Sequence, residues 1–277
     1  MTADLPPLAF LVVFAALLAT VALAGGGAPP SGAPIPRDPA ALAARIQTTT
    51  QDLDAGIDAW RAIGAARPPM DVTLNALYQQ RIVILLTAKP TLSRRVLARL
   101  PAADRRPLRN ELTVRRELGR LSTPNPLSAF RTGPAAPAAE LLGYYRAGQQ
   151  RFGVAWYVLA AVNFIETAFN KVRNPSTAGA LGPMQFLRST WRRYGLGGNV
   201  HDPHDAILGA ANYLHASGAP RNYRRALYHY NPSRVYVDTV LGYASMIRSD
   251  PNAFYALYSR QVFVRTPRGL VRLTGPR

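Results

Sequence analysis

The sequence contains no cysteine. That excludes disulfides, thiolate nucleophiles and cysteine-ligated metal sites. It does not fix a compartment. Lysine is almost missing too: Lys89 and Lys171 are the only two, and every other basic residue is arginine. Acid is scarce, with 15 Asp and Glu against 33 Lys and Arg, for a net charge of +18 in 277 residues. Only Asp4 is charged within residues 1–36. Charged residues make up 17% and hydrophobic ones 48%, which rules out a disordered polyelectrolyte. A mean hydropathy of −0.05 rules out a polytopic membrane protein.

The basic excess is spread along the chain. Residues 37–139 carry 16 basic and 8 acidic groups, and residues 140–277 carry 17 and 6. No basic tail of the nucleic-acid-arm type is present. Guanidinium stays charged at any working pH and binds carboxylate or phosphate through two hydrogen bonds. A G+C-rich coding sequence accounts for arginine over lysine, but not for the net excess. The balance points to an anionic partner.

The run from Leu8 to Ala24, LAFLVVFAALLATVALA, approaches the ~20 apolar residues that span a bilayer. Two readings compete over residues 1–25: a signal peptide ending at the small-residue pattern Ala22-Leu23-Ala24, or a retained membrane anchor. The usual basic stretch before the run is missing, and the basic residues downstream mildly oppose export. Residues 26–36 belong to a Gly/Pro stretch, GGGAPPSGAPIP from Gly25, expected to be a spacer.

Residues 37–121 read as a helical region. Asp38-Pro39 is a helix start, with Asp as cap and Pro in the first turn. Pro68, Pro69, Pro90, Pro101 and Pro107 are expected to divide the remainder of the region into short helices. No catalytic constellation occurs here; a helical stalk or packing partner is the expectation. Residues 122–139 form a Pro-rich connection. In the tail, 256–277, two alternating apolar runs flank Pro267-Arg268-Gly269 and predict a β-hairpin.

The chemistry-bearing residues fall in 140–255. Apolar residues at Val154, Tyr157, Val158, Ala161, Val162 and Ile165 keep helical spacing. Glu166 ends this helix and is the only glutamate after residue 140. Among Phe164, Ile165 and Phe169 its carboxyl should be desolvated and its pKa raised, which suits a general acid near neutral pH. Alone, Glu166 also fits an ordinary helix-end glutamate. Next comes a polar turn at Ser176, small residues at Gly179 to Gly182, and Met184-Gln185-Phe186, which sets an amide between two apolar groups. Another helix should run from about Ser189 to Gly195. A third element, Tyr228 to Ser233, reads YHYNPS and joins a helix starting near Asn222 to one capped by Ser233 and carrying Tyr236. In HDPHD, Asp202 and Asp205 match no strong zinc or calcium spacing, and Asp205 is expected to cap the following helix. No metal and no cofactor is called for.

In order and spacing these motifs resemble the lytic transglycosylases with the soluble lytic transglycosylase domain. Glu166-Thr167 matches the family's Glu-Ser/Thr motif. AGALGPMQ, Ala178 to Gln185, matches its Gly-Leu-Met-Gln motif. Tyr230-Asn231 with Tyr236-Val237 matches its Ala-Tyr-Asn motif, and DPHDAILGAANYL from Asp202 also looks like this family. Coverage is about residues 150–250. Pro183 replaces the usual apolar residue, as in membrane-bound and actinobacterial branches, and His229 replaces alanine.

The resemblance implies a mainly α fold: a lysozyme-like helical catalytic domain, here with an N-terminal helical region and a C-terminal hairpin. It implies cleavage of the β-1,4 bond between N-acetylmuramic acid and N-acetylglucosamine in peptidoglycan glycan strands, leaving a 1,6-anhydro end. Glu166 would be the single acid and base. Gln185, Tyr230 and Asn231 would hold the acetamido group and orient Glu166. Tyr236, Met184 and Ser176 would line the cleft. One carboxyl suffices because the sugar's own C6 hydroxyl is the nucleophile at high effective concentration, whereas ordinary glycosidases need two. The expected location is the cell envelope, with the N-terminus associated with the membrane or removed. Anionic wall polymers are candidate partners, and nucleic acid is not expected. A lysozyme-type hydrolase and a non-catalytic wall-binding protein are the alternatives.

Overall fold

The computed structural model describes residues 27–121 and 123–276. Both readings of residues 1–25 therefore lie outside the described residues. No described helix is long and apolar enough to cross a membrane.

Eleven α-helices, one short 3-10 helix (Leu127–Ala129) and one hairpin account for the ordered elements among the described residues. The first four are α1 (Pro39–Ile63), α2 (Met70–Ala88), α3 (Pro90–Arg99) and α4 (Ala102–Leu121). Asp38 caps α1 as expected, accepting from the backbone N–H of Ala40 and Ala41. Pro107 does not divide the chain, because α4 runs through it. It stands early in the helix, where only one downstream-to-upstream hydrogen bond is forfeited.

The next group is α5 (Ala138–Phe152), α6 (Trp156–Thr167), α7 (Arg188–Tyr194), α8 (Pro203–Ala216), α9 (Tyr223–Tyr230), α10 (Arg234–Ser249) and α11 (Ala253–Ser259). The cap of α8 is Asp202 rather than Asp205: its side chain accepts from the Asp205 N–H, and Pro203 takes the first position. This repeats the Asp-Pro start of α1, so the proline decided the register. The expected hairpin is present as antiparallel β1 (Phe263–Thr266) and β2 (Gly269–Arg272).

The first four helices are a packing partner, not a free stalk. Leu53, Ile57 and Trp60 of α1, Val72 and Ala76 of α2, and Val114 of α4 share one buried cluster with Val158, Val162, Phe169, Tyr236, Tyr243 and Phe254. A second cluster joins α1 to α2, α3 and α4 through Leu42, Ile46, Ile82, Leu86, Val96 and Leu112. The Gly/Pro stretch is seated on that second cluster. Ala33 and Ile35 pack against it, Tyr78 Oη donates to the Pro34 carbonyl at 2.8 Å, and Arg81 Nη1 donates to that of Ser31 at 3.0 Å. As far as it is described, from residue 27, that stretch is seated on the helices through these contacts.

The tail closes over the same junction. Gln80 and Gln261 exchange two hydrogen bonds, Gln80 Nε2 to the Gln261 carbonyl and Gln261 N–H to Gln80 Oε1, at 2.8 and 3.0 Å. Arg260 and Glu111 form a buried ion pair between the tail and α4. Removing one partner of such a pair strands a charge away from water, so the pair ties tail to helix.

Candidate functional site

Glu166 lies in the last turn of α6, and the chain leaves that helix abruptly. Ala168, Phe169 and Asn170 all take left-handed backbone, with φ of 51°, 63° and 64°. Three non-glycine residues in succession there cost roughly 1–2 kcal/mol each. Packing holds them. Phe169 is fully buried against Phe164, Phe254 and Tyr258, with ring centroids at 5.4, 5.6 and 5.9 Å. The Asn170 N–H donates to Thr167 Oγ1 at 2.9 Å. Strain of this kind next to a reactive group is a recurrent property of functional sites.

Glu166 itself is half-buried. Tyr236 Oη, from α10, donates to Glu166 Oε1 at 2.6 Å. Burial raises the carboxyl pKa from 4.5 to about 7, and the Tyr236 hydrogen bond opposes this by favouring the anion. No neighbouring charge contributes. The group is thus poised to give and take a proton near neutrality.

The second motif is a tight loop. Leu181 and Phe186 exchange both backbone hydrogen bonds, at 2.9 and 2.8 Å. Between them Gly182 has φ +72°, and a Cβ there would stand 1.8 Å from the Val200 carbonyl oxygen. Only glycine fits. Gln185 also has positive φ, 49°, and its Nε2 donates to the Gly182 carbonyl at 3.0 Å. That bond orients the amide and leaves its carbonyl oxygen as the free end.

A buried polar network fastens this loop to α6. Thr167 Oγ1 and Asn163 Nδ2 both donate to the Pro183 carbonyl, at 2.7 and 2.8 Å. Asn163 Oδ1 in turn accepts from Tyr145 Oη at 2.7 Å. The third motif closes the triangle. Tyr230 Oη donates to the Met184 carbonyl at 2.6 Å, and the Tyr230 and Tyr236 rings lie parallel within 4° at 6.4 Å. Burial raises the pKa of both tyrosines well above 10, with the nearby Glu166 carboxyl adding to it, so both stay as neutral donors.

Glu166, Gln185, Tyr230 and Tyr236 are therefore linked through three motifs far apart in sequence. Asn231 caps the end of α9, half-buried, and its backbone N–H donates to the Leu227 carbonyl at 2.9 Å. Two expected cleft residues are placed differently. Met184 is fully buried, so its side chain is core and only its carbonyl serves the site. Ser176 Oγ accepts from the Ala180 N–H at 3.0 Å, which spends the hydroxyl on closing its own turn. Sequence reading missed Tyr145 and Asn163 and gave Thr167 no role beyond the motif. An asparagine within an apolar helical stripe was the available signal, since a buried amide needs partners.

Asp202, His204 and Asp205 bring three possible metal-ligand atoms within 4.8 Å of one another. One oxygen of each aspartate is already engaged: Asp202 Oδ1 accepts from the Asp205 N–H, and Asp205 Oδ2 accepts from the Asn199 N–H at 2.9 Å. Two cavities lie along the Pro134–Ala135 connection, of about 550 and 370 Å³. Asn170 and Gly182 line the first and Lys171 the second, and Glu166 lines neither.

Comparison with known proteins bears on this geometry directly. Residues 143–245 match the family model described as the transglycosylase SLT domain. The matched segment runs from α5 to α10 and includes every residue of the triangle. The helical architecture with its small two-stranded sheet is that expected of a lysozyme-like fold. Members of the matched family are lytic transglycosylases, glycosidic-bond lyases of peptidoglycan. Residues 143–245 are thus similar to an enzyme domain whose family members act on the glycan strand. No curated protein and no solved structure matches the chain.

Proposed function

We propose that Glu166 is the single general acid and base of a lytic transglycosylase reaction that leaves a 1,6-anhydro end. The observation that carries this reading is the half-buried Glu166, raised to about 7, hydrogen-bonded by Tyr236 and shifted by no second carboxylate. A proton is first given to the leaving glycosidic oxygen. Glu166 then removes the proton of the muramic acid's C6 hydroxyl, which attacks the anomeric carbon within the same sugar. The free oxygen of Gln185 and the amide of Asn231 hold the acetamido group and the sugar hydroxyls. Tyr230 sets the loop that carries Gln185.

The occupied roles of Asp202 and Asp205 support one carboxyl over two. Most glycoside hydrolases use a second carboxylate to prepare a water or form a glycosyl intermediate. We further propose that the catalytic domain spans residues 140–255. The apolar run before residue 26 then leads it to the cell envelope, as a cleaved signal or an anchor.

Digestion of whole peptidoglycan sacculi tests the reading by product mass. Anhydro ends are expected, and they disappear with Glu166→Gln. Products heavier by one water would replace this reading with a lysozyme-type hydrolase, and undiminished release by Glu166→Gln would remove Glu166 from the chemistry.

A further inference from the structure

Nine arginines fall within α3 and α4, a region that the family match does not cover. On α4 their placement is ordered. Arg106, Arg109, Arg116 and Arg120 are all exposed and recur at helical spacing. At about 100° per residue they fall within roughly 80° of arc, in a stripe about 21 Å long. The opposite face, with Leu108, Glu111, Leu112 and Val114, is buried, and the helix packs there against α10 and α2.

The acidic residues of α4 do not neutralise the stripe. Asp104 accepts from Gln47 Nε2 at 3.2 Å, Glu111 is paired with buried Arg260, and Glu117 holds Arg120 at 2.8 Å. Arg106, Arg109 and Arg116 have no ion pair among the described residues. Three like charges on one face repel each other, and only an external anion relieves that. Guanidinium pairs with carboxylate through two parallel hydrogen bonds.

We infer that this face of α4 binds the peptide carboxylates of peptidoglycan strands next to the one being cut. The inference rests on the catalytic reading above for the identity of the polymer. Peptidoglycan is the polymer that the matched domain already acts on, and its peptides supply repeated carboxylates along a linear strand. A stripe one helix wide suits a strand. The stripe lies on the side of α4 turned away from α10, which carries Tyr236, so it holds a neighbouring strand while the site works on another.

The test uses the full chain with Arg106, Arg109 and Arg116 all changed to glutamate. A control variant changes Arg45 on α1, Arg221 in the turn before α9 and Arg268 in the hairpin turn, all exposed, by the same total charge. Co-sedimentation with intact sacculi at low salt should weaken about tenfold or more for the stripe variant, from the loss of three exposed pairs. The control should bind within about twofold of the wild type, and the difference should vanish at 1 M salt, where the screening length is ~3 Å. On sacculi the stripe variant should show a raised KM at unchanged kcat. On glycan strands stripped of peptide it should match the wild type. Equal weakening in both variants would reduce the effect to net charge and overturn the proposal. So would loss of binding confined to vesicles of anionic phospholipid, or unchanged binding to sacculi. If the wild type releases no products, the catalytic reading fails, while sedimentation still reads the stripe.

Discussion

Replacing Glu166 by glutamine should make the protein more stable, by an amount that grows as pH rises above about 4.5 and is full above about 7. The carboxyl pKa is raised from 4.5 to about 7. Between those values the native state keeps a proton that the unfolded chain releases. Stability therefore falls as pH rises through that window, and the penalty is complete above about pH 7. The separation of 2.5 units corresponds to about 3 kcal/mol at ~1.36 kcal/mol per unit. Glu166 is only half-buried, so about 3 kcal/mol is a ceiling. Glutamine keeps the shape and an oxygen for Tyr236 to donate to, and it carries no charge to desolvate. Urea unfolding at pH 8 should show Glu166→Gln ahead by up to about 3 kcal/mol, and at pH 5 by less than about 1 kcal/mol. In a thermal scan the pH 8 gain should appear as roughly 2–4 °C per kcal/mol. An equal gain at both pH values, or a loss at pH 8, would refute the argument that desolvation of the carboxylate sets its pKa.

Other substitutions probe the linked motifs. Tyr236→Phe removes the bond that favours the anion, so the alkaline limb of the kcat/KM profile should move up by roughly one pH unit. That is the low end of a charged hydrogen bond's ~1.5–3 kcal/mol. A limb that moves down would reverse the assigned role of Tyr236. Gly182→Ala meets both left-handed backbone and the Val200 carbonyl. It should lower stability by more than about 2 kcal/mol in denaturant titration and release fewer products from sacculi. Thr167→Val leaves the Asn170 N–H without its acceptor and takes one donor from the Pro183 carbonyl. A cost of about 1–3 kcal/mol is expected on unfolding. A cost near zero would mean that the buried network is not what holds the loop to α6.

Much of this protein was legible in one dimension because its signals are local. Helical periodicity marked α6, Ser233 marked the start of α10, Asp-Pro marked the start of α1, and two apolar runs around Pro267-Arg268-Gly269 marked the hairpin. The three motifs named the triangle's corners, because glycine at 182 and a glutamate at a helix end answer to backbone geometry and burial nearby. Local cues also misled. Asp205 looked like a cap until Pro203 fixed the register one proline earlier, and Met184 looked like cleft lining although its side chain faces the core.

What the amino-acid order determined by itself was the helical class, the charge balance and which carboxyl is proposed to react. The tertiary structure alone decided how that carboxyl is held. Tyr236 reaches Glu166 across 70 positions of chain, Thr167 reaches Pro183 across 16, and Arg260 reaches Glu111 from the tail. No periodicity encodes such pairs, because each depends on which helix faces come together when the apolar stripes are buried. The same packing turned the basic composition into a directed feature. Burying one side of α4 against α10 and α2 left its arginines on the other, where they meet whatever anion lies outside.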